Sequence, residues 1–133
     1  MLIQTRQDFD EMWSVLADEP MPGVDTETTG LDWWRDKIVG ASFATPTRSW
    51  YLPVRHATAN CPLEWLREAG ERLQDRLICG HNLGGFDFHL LHREGWKIPQ
   101  LYHDSLIAGY TLDENQPLKL ELLASAHLGI DGG

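Results

Sequence analysis

The chain has 133 residues, 42% of them hydrophobic and 10% aromatic, which suits one compact domain with its own core and excludes a wholly disordered chain. Its 11 Lys and Arg stand against 20 Asp and Glu, a net charge of -9, which argues against passive phosphate binding as the main function. No apolar run approaches the ~20 residues that span a bilayer, and the N-terminus carries no basic-then-apolar leader. Cys61 and Cys79 lack a CxxC spacing, so neither a disulfide framework nor a Cys-rich zinc site is on offer, and a reducing cytoplasm fits best.

In chain order, Met1–Gln4 reads as a short edge strand. Thr5 or Asp8 caps a helix whose apolar positions Phe9, Met12, Trp13 and Leu16 keep helical spacing, with Pro20 and Pro22 as its stop. Val24–Thr28 reads as a strand entering a turn at Thr29-Gly30. Ile38–Thr45 and Trp50–Val54 read as two more, rich in β-branched and aromatic residues and joined by a hairpin. Leu63–Gln74 has one apolar helical face, Leu77–Gly80 is a short buried strand, and Phe86–Arg93 is a helix. Gln100–His103 reads as a fifth strand. Asp104 caps a helix running through Ala108 to Leu112, and Pro117 opens a last helix, Leu118–His127, stopped by Gly129. Three closely joined strands followed by helix–strand alternation predict an α/β fold. Its sheet is mixed and five-stranded, antiparallel first and parallel later, with flanking helices.

Two stretches carry chemistry. In Val24-Asp25-Thr26-Glu27-Thr28-Thr29-Gly30, residues two apart on a strand share a face, so Asp25 and Glu27 point together and Thr26 points away. Such a pair is either a solvated acidic strand end or an oxygen-only seat for a hard cation such as Mg²⁺ or Mn²⁺. The negative charge is compatible with a metal-dependent nuclease, in which divalent cations rather than basic side chains meet the phosphate. In Gly80-His81-Asn82-Leu83-Gly84-Gly85-Phe86-Asp87, Asp87 is either a helix-terminal charge or a third carboxylate for the same cations. Asn82 either bridges its own loop or binds substrate. His81, His89 and His92 with Asp87 make a weaker alternative, a zinc site, and no GxSxG elbow marks a serine hydrolase. Trp13 and Trp65 fall on core-facing helix positions. Trp33-Trp34 either stack on unpaired bases or pack under their loop.

The order D-T-E-T-T-G, then N-x-x-x-F-D, resembles the first two motifs of the DEDD 3′-5′ exonuclease superfamily. It is most similar to the proofreading domain of family A DNA polymerases. Ile38–Phe43, Trp50–Val54 with His56, His103–Ser105 through Leu112, and Leu118–Gly129 resemble the strands and helices of the same domain, from about Val24 to the end. The resemblance implies an RNase H-like fold and a two-metal phosphodiesterase acting on the 3′ end of single-stranded DNA. Asp25 would bridge both ions, Glu27 would ligate one and place the attacking water, and Asp87 would hold the second. Thr28 and Leu31 would contact the terminal nucleotide, Leu31 being otherwise a core residue, while Asn82 and Phe86 would line the strand's path. It also implies a polymerase domain in a parent chain, no membrane, and the cytoplasm of a bacterium or phage-infected cell.

The family's third motif, Tyr-x-x-x-Asp, supplies a fourth carboxylate. Tyr110 with Glu114, and His127 with Asp131, have that spacing but the wrong place or residue types, so residues 1–133 are expected to stop short of it. The alternatives are an RNase D-like exoribonuclease and a catalytically incomplete module that binds nucleic acid or a partner.

Overall fold

The computed structural model describes residues 1–32, 34–97, 102–105, 108, 119–120, 123–124 and 128. Helix α1 (Arg6–Leu16) starts on a reciprocal cap: Thr5 Oγ1 accepts from the Asp8 amide at 3.1 Å, and Asp8 accepts from the Thr5 amide at 3.0 Å. Its buried stripe is Phe9, Met12, Trp13 and Leu16, as the spacing predicts. It ends before the prolines, because Ala17 to Glu19 tighten into a turn and the Arg76 guanidinium caps the Leu16 and Glu19 carbonyls.

Strands β1 (Gly23–Thr28), β2 (Ile38–Ala44) and β3 (Ser49–Pro53) run antiparallel, while β4 (Ile78–Gly80) and β5 (Tyr102–Asp104) extend the sheet in parallel. The order β3-β2-β1-β4-β5 puts β1 in the centre. The expected mixed five-stranded sheet is therefore present. The edge strand expected at Met1–Gln4 shrinks to a single bridge, Leu2 to Tyr51, since the Gln4 and Thr5 amides turn to Asp8 instead.

Trp13 meets Phe43 with ring centroids 5.9 Å apart, and Val24, Ala41, Trp50 and Leu52 join the same core. Helix α2 (Leu63–Leu73) adds Leu66, Ala69 and Leu73. Trp65 is half-buried and stacks on Phe9.

The helix expected over Phe86–Arg93 begins earlier and differently. Leu83–Asp87 form a π-turn, and α3 proper is Phe88–Arg93. The cause is Asp104. It does not serve only the helix that follows it: it is buried on β5, and its carboxylate accepts from the Asn82 and Leu83 amides at 2.8 and 2.7 Å. Asn82 takes a left-handed backbone, φ 56°, which turns the Leu83 amide to the same carboxylate as its own. Ser105 and Ala108 are helical, as are Leu120, Leu123, Ala124 and Leu128. The remainder of the last two expected helices, Trp33, Gln100 and the pairs Tyr110/Glu114 and His127/Asp131 lie outside the described residues.

Candidate active site

Asp25 and Glu27 occupy the central strand with an alternating pattern: Val24 is buried, Asp25 and Glu27 are exposed, and Thr26 is half-buried. Period-2 geometry puts the two carboxylates on one face. Across the ladder they face Ser42 and Gly40, small residues that leave room on this face, which the Tyr51 ring takes up over Gly40. A β-bulge between Glu27 and Thr28 ends the regular pairing just past the acids. Partial burial of its carboxyl, against the cavity wall, pushes Asp25 above its ordinary value and the Glu27 charge adds to it, opposed by the Thr26 amide and by His81. Beside Asp25 opens a cavity of about 330 Å³, whose walls include Ser42, Cys79, His81, His103 and Ser105.

Asp87 sits at the end of the π-turn, buried, and accepts a hydrogen bond from the Thr26 hydroxyl. Thr26 belongs to the opposite side of β1 from Asp25 and Glu27. The third acid is thus turned toward the back of the strand instead of lying in a finished cluster. Among the described residues no three His, Cys, Asp or Glu side chains are grouped closely enough to hold a metal ion. The acids still sense one another. The Asp87 carboxyl is pushed up to about 7, first by burial and then by the charges of Asp25, Asp104 and Glu27, with Thr26 opposing. Proximity of like charges with oxygen-only donors is the chemistry that a hard divalent cation relieves, so the residues fit such an ion once Asp87 turns.

The loop after β1 is built to present its tip. Asp36 binds the Thr29 hydroxyl and the Asp32 amide, each at 2.9 Å, and the Thr28 hydroxyl closes on the Gly30 carbonyl at 2.7 Å. Arg93 of α3 holds the Trp34 and Asp36 carbonyls. Leu31 is 87% exposed, so its core alternative is wrong; Trp34 is exposed as well. Asn82 is exposed beside the π-turn, and Phe86 packs partly into the core. His81 bonds Ser105 at 2.8 Å and His92 lies against the Trp96 carbonyl, and the zinc grouping does not form among the described residues. Cys61 and Cys79 are free thiols.

Residues 1–131 match the sequence profile of the family described as 3′-5′ exonuclease, in its family A DNA polymerase form. The chain belongs to this family. By family it is a 3′-5′ exonuclease, a hydrolase.

The chain is 26% identical over 132 residues to DNA polymerase I of Borreliella burgdorferi, covering 95% of this chain and 14% of that protein. It is 32% identical over 119 residues to DNA polymerase DpoZ of Vibrio phage phiVC8, covering 79% of this chain and 18% of that one. The chain therefore spans less than a fifth of these curated relatives. Among solved structures, Escherichia coli RNase D, an exoribonuclease, superposes with a TM-score of 0.75 at 11% identity over 100% of this chain and 34% of that chain. Brucella melitensis NrnC with bound Mg²⁺ gives 0.67 at 19% identity, over 87% and 57%. These likenesses show the RNase H-like exonuclease fold. No helix among the described residues is long and apolar enough to cross a membrane.

Proposed function

We propose that this exonuclease domain hydrolyses the last phosphodiester at the 3′ end of single-stranded DNA, releasing nucleoside 5′-monophosphates, and that it works as the proofreading part of a polymerase chain in a bacterial or phage-infected cytoplasm. The supporting observation is the pair Asp25 and Glu27, exposed side by side on the central strand, whose charges act on Asp87 behind it. The curated relatives, which are DNA polymerases, support the polymerase context and DNA as substrate.

Asp25, Glu27 and Asp87 would hold two Mg²⁺ or Mn²⁺ ions, which when bound lower the pKa of the attacking water and stabilise the departing 3′ oxygen. Asp25 would help hold both ions. Glu27, further along the strand, would hold one and orient the water. Asp87 would turn from Thr26, lose its proton to solvent and join them. Thr28 and the exposed Leu31 meet the terminal nucleotide, and Asn82 and Phe86 line the approach of the strand.

Incubated with Mn²⁺ and a longer chain that includes the helix of the third motif, a 5′-labelled DNA oligonucleotide is expected to shorten from its 3′ end. Asp25→Ala should abolish this and leave the circular dichroism spectrum unchanged. Cleavage undiminished in that variant would remove the mechanism. The RNase D superposition favours a second reading, an exoribonuclease. A matched RNA oligonucleotide degraded much faster than the DNA would establish it. Strand binding that survives Asp25→Ala, with no cleavage under any divalent ion, would leave a binding module only.

A further inference from the structure

One polar pair on the acidic face has no part in the scheme above. The Tyr51 hydroxyl on β3 lies 2.6 Å from His56 Nε2, and the two rings meet edge-to-face with centroids 5.5 Å apart. Tyr51 pairs in register with Ser42, so it shares a face with Ser42 and Asp25. Its ring does not stand off the sheet. It leans along β2 to lie over Gly40, where any Cβ would collide with the phenol oxygen and Cζ. Gly40 is the register partner of Glu27. The hydroxyl end of Tyr51 is thereby delivered across a bare glycine toward Glu27.

Both members are held in place. The Tyr51 amide donates to the Met1 carbonyl and its carbonyl accepts from the Ile3 amide, each at 2.9 Å. Asn60 clamps the His56 backbone from both sides, accepting from its amide and donating to its carbonyl at 2.7 Å. A phenol has one proton to give. If it goes to His56, only lone pairs face the Glu27 carboxylate, and they repel it. If His56 donates Nε2–H to the phenol oxygen, the Tyr51 proton is left for the carboxylate side.

We propose that Tyr51 and His56 are a positioning pair for Glu27: His56 donates through Nε2–H, and the Tyr51 hydroxyl steadies the Glu27 carboxylate in the orientation that takes a divalent cation. The proposal rests on the assignment of Glu27 as a metal-holding acid, and the test separates the two.

Mn²⁺ affinity is measured by electron paramagnetic resonance on the 133-residue chain, alongside Asp25→Ala, Tyr51→Phe, His56→Ala, His56→Gln and Gly40→Ala. Tyr51→Phe and His56→Ala should each weaken Mn²⁺ binding by roughly 10-fold or more, the usual effect of removing a partner behind a metal ligand. Gly40→Ala, which displaces the ring, should do the same. His56→Gln, whose amide nitrogen replaces the Nε2 donor, should recover most of the affinity, a rescue that a packing role would not give. The ¹⁵N shifts of the His56 imidazole in the wild-type chain should place a proton on Nε2. Full affinity in Tyr51→Phe, with Asp25→Ala still deficient, overturns the pair and spares the site. A wild-type chain that binds no Mn²⁺ overturns the site assignment and the pair with it. A proton on Nδ1 alone overturns the pair whatever the variants do.

Discussion

At the scale of single residues, the role proposed for Asp87 and its surroundings pull in opposite directions. Its surroundings favour the neutral acid, with the carboxyl at about 7 in the folded chain. The ordinary value is near ~4, so between those two values the folded chain keeps a proton that the unfolded chain has lost. Stability contributed by this group therefore falls as pH rises from ~4 to ~7, and the whole penalty is present above that. Asp87→Asn keeps an acceptor for Thr26 and removes the charge. It should melt above the wild type at about pH 8 and coincide with it near about pH 4, with a gain of a few kcal/mol at most, since each pKa unit is worth about 1.4. The same variant should lose 3′-end cleavage, a trade of function against stability. Melting curves that differ equally at both pH values would contradict the assignment. The pairing of Asp25 with Glu27 was legible in the sequence because strand periodicity alone decides it. The turn of Asp87 toward Thr26 was not, because it depends on a backbone shape that no local pattern announces.

That shape belongs to the scale of elements. Helices α1 and α2 and the hairpin β2–β3 follow from caps, apolar stripes and β-branched runs within a few residues of one another. The π-turn follows from a contact between Asp104 and the Asn82 and Leu83 amides, across 22 and 21 residues of chain. A reading that stayed local therefore began the helix at Phe86 and gave Asp104 only to the segment after it. π-turns concentrate at functional sites, and this one delivers Asp87. Asp104→Ala leaves two amides without their acceptor, one of them on buried Leu83. It should cost roughly 2 kcal/mol or more in urea unfolding. Amide exchange should quicken at Asn82 and Leu83 ahead of α2. Wild-type protection there would mean that the turn does not depend on Asp104.

Over the whole molecule, strand directions were legible because short connections force antiparallel neighbours and helical crossovers force parallel ones. Charge acts at this scale too. A net charge of -9 opposes the approach of a nucleic-acid strand, and on the proposed function bound cations would offset that repulsion. Binding of single-stranded DNA, followed by fluorescence anisotropy, should rise with Mg²⁺ and vanish with EDTA. The double variant Asp25→Asn, Glu27→Gln should bind DNA more tightly than wild type when metal is absent, by up to roughly fivefold, the ~1 kcal/mol of a close charge pair in water. It should lose the response to Mg²⁺. A metal-independent affinity equal in both proteins would show that the acids do not face the strand.

Arg93 spans two of these scales. By gripping the Trp34 and Asp36 carbonyls, it fastens the loop that displays Leu31 to the helix that begins just after Asp87. One guanidinium at the far end of α3 thus ties the loop that carries Leu31 to the helix that follows Asp87, so a change at Arg93 alone would loosen both borders of the site together.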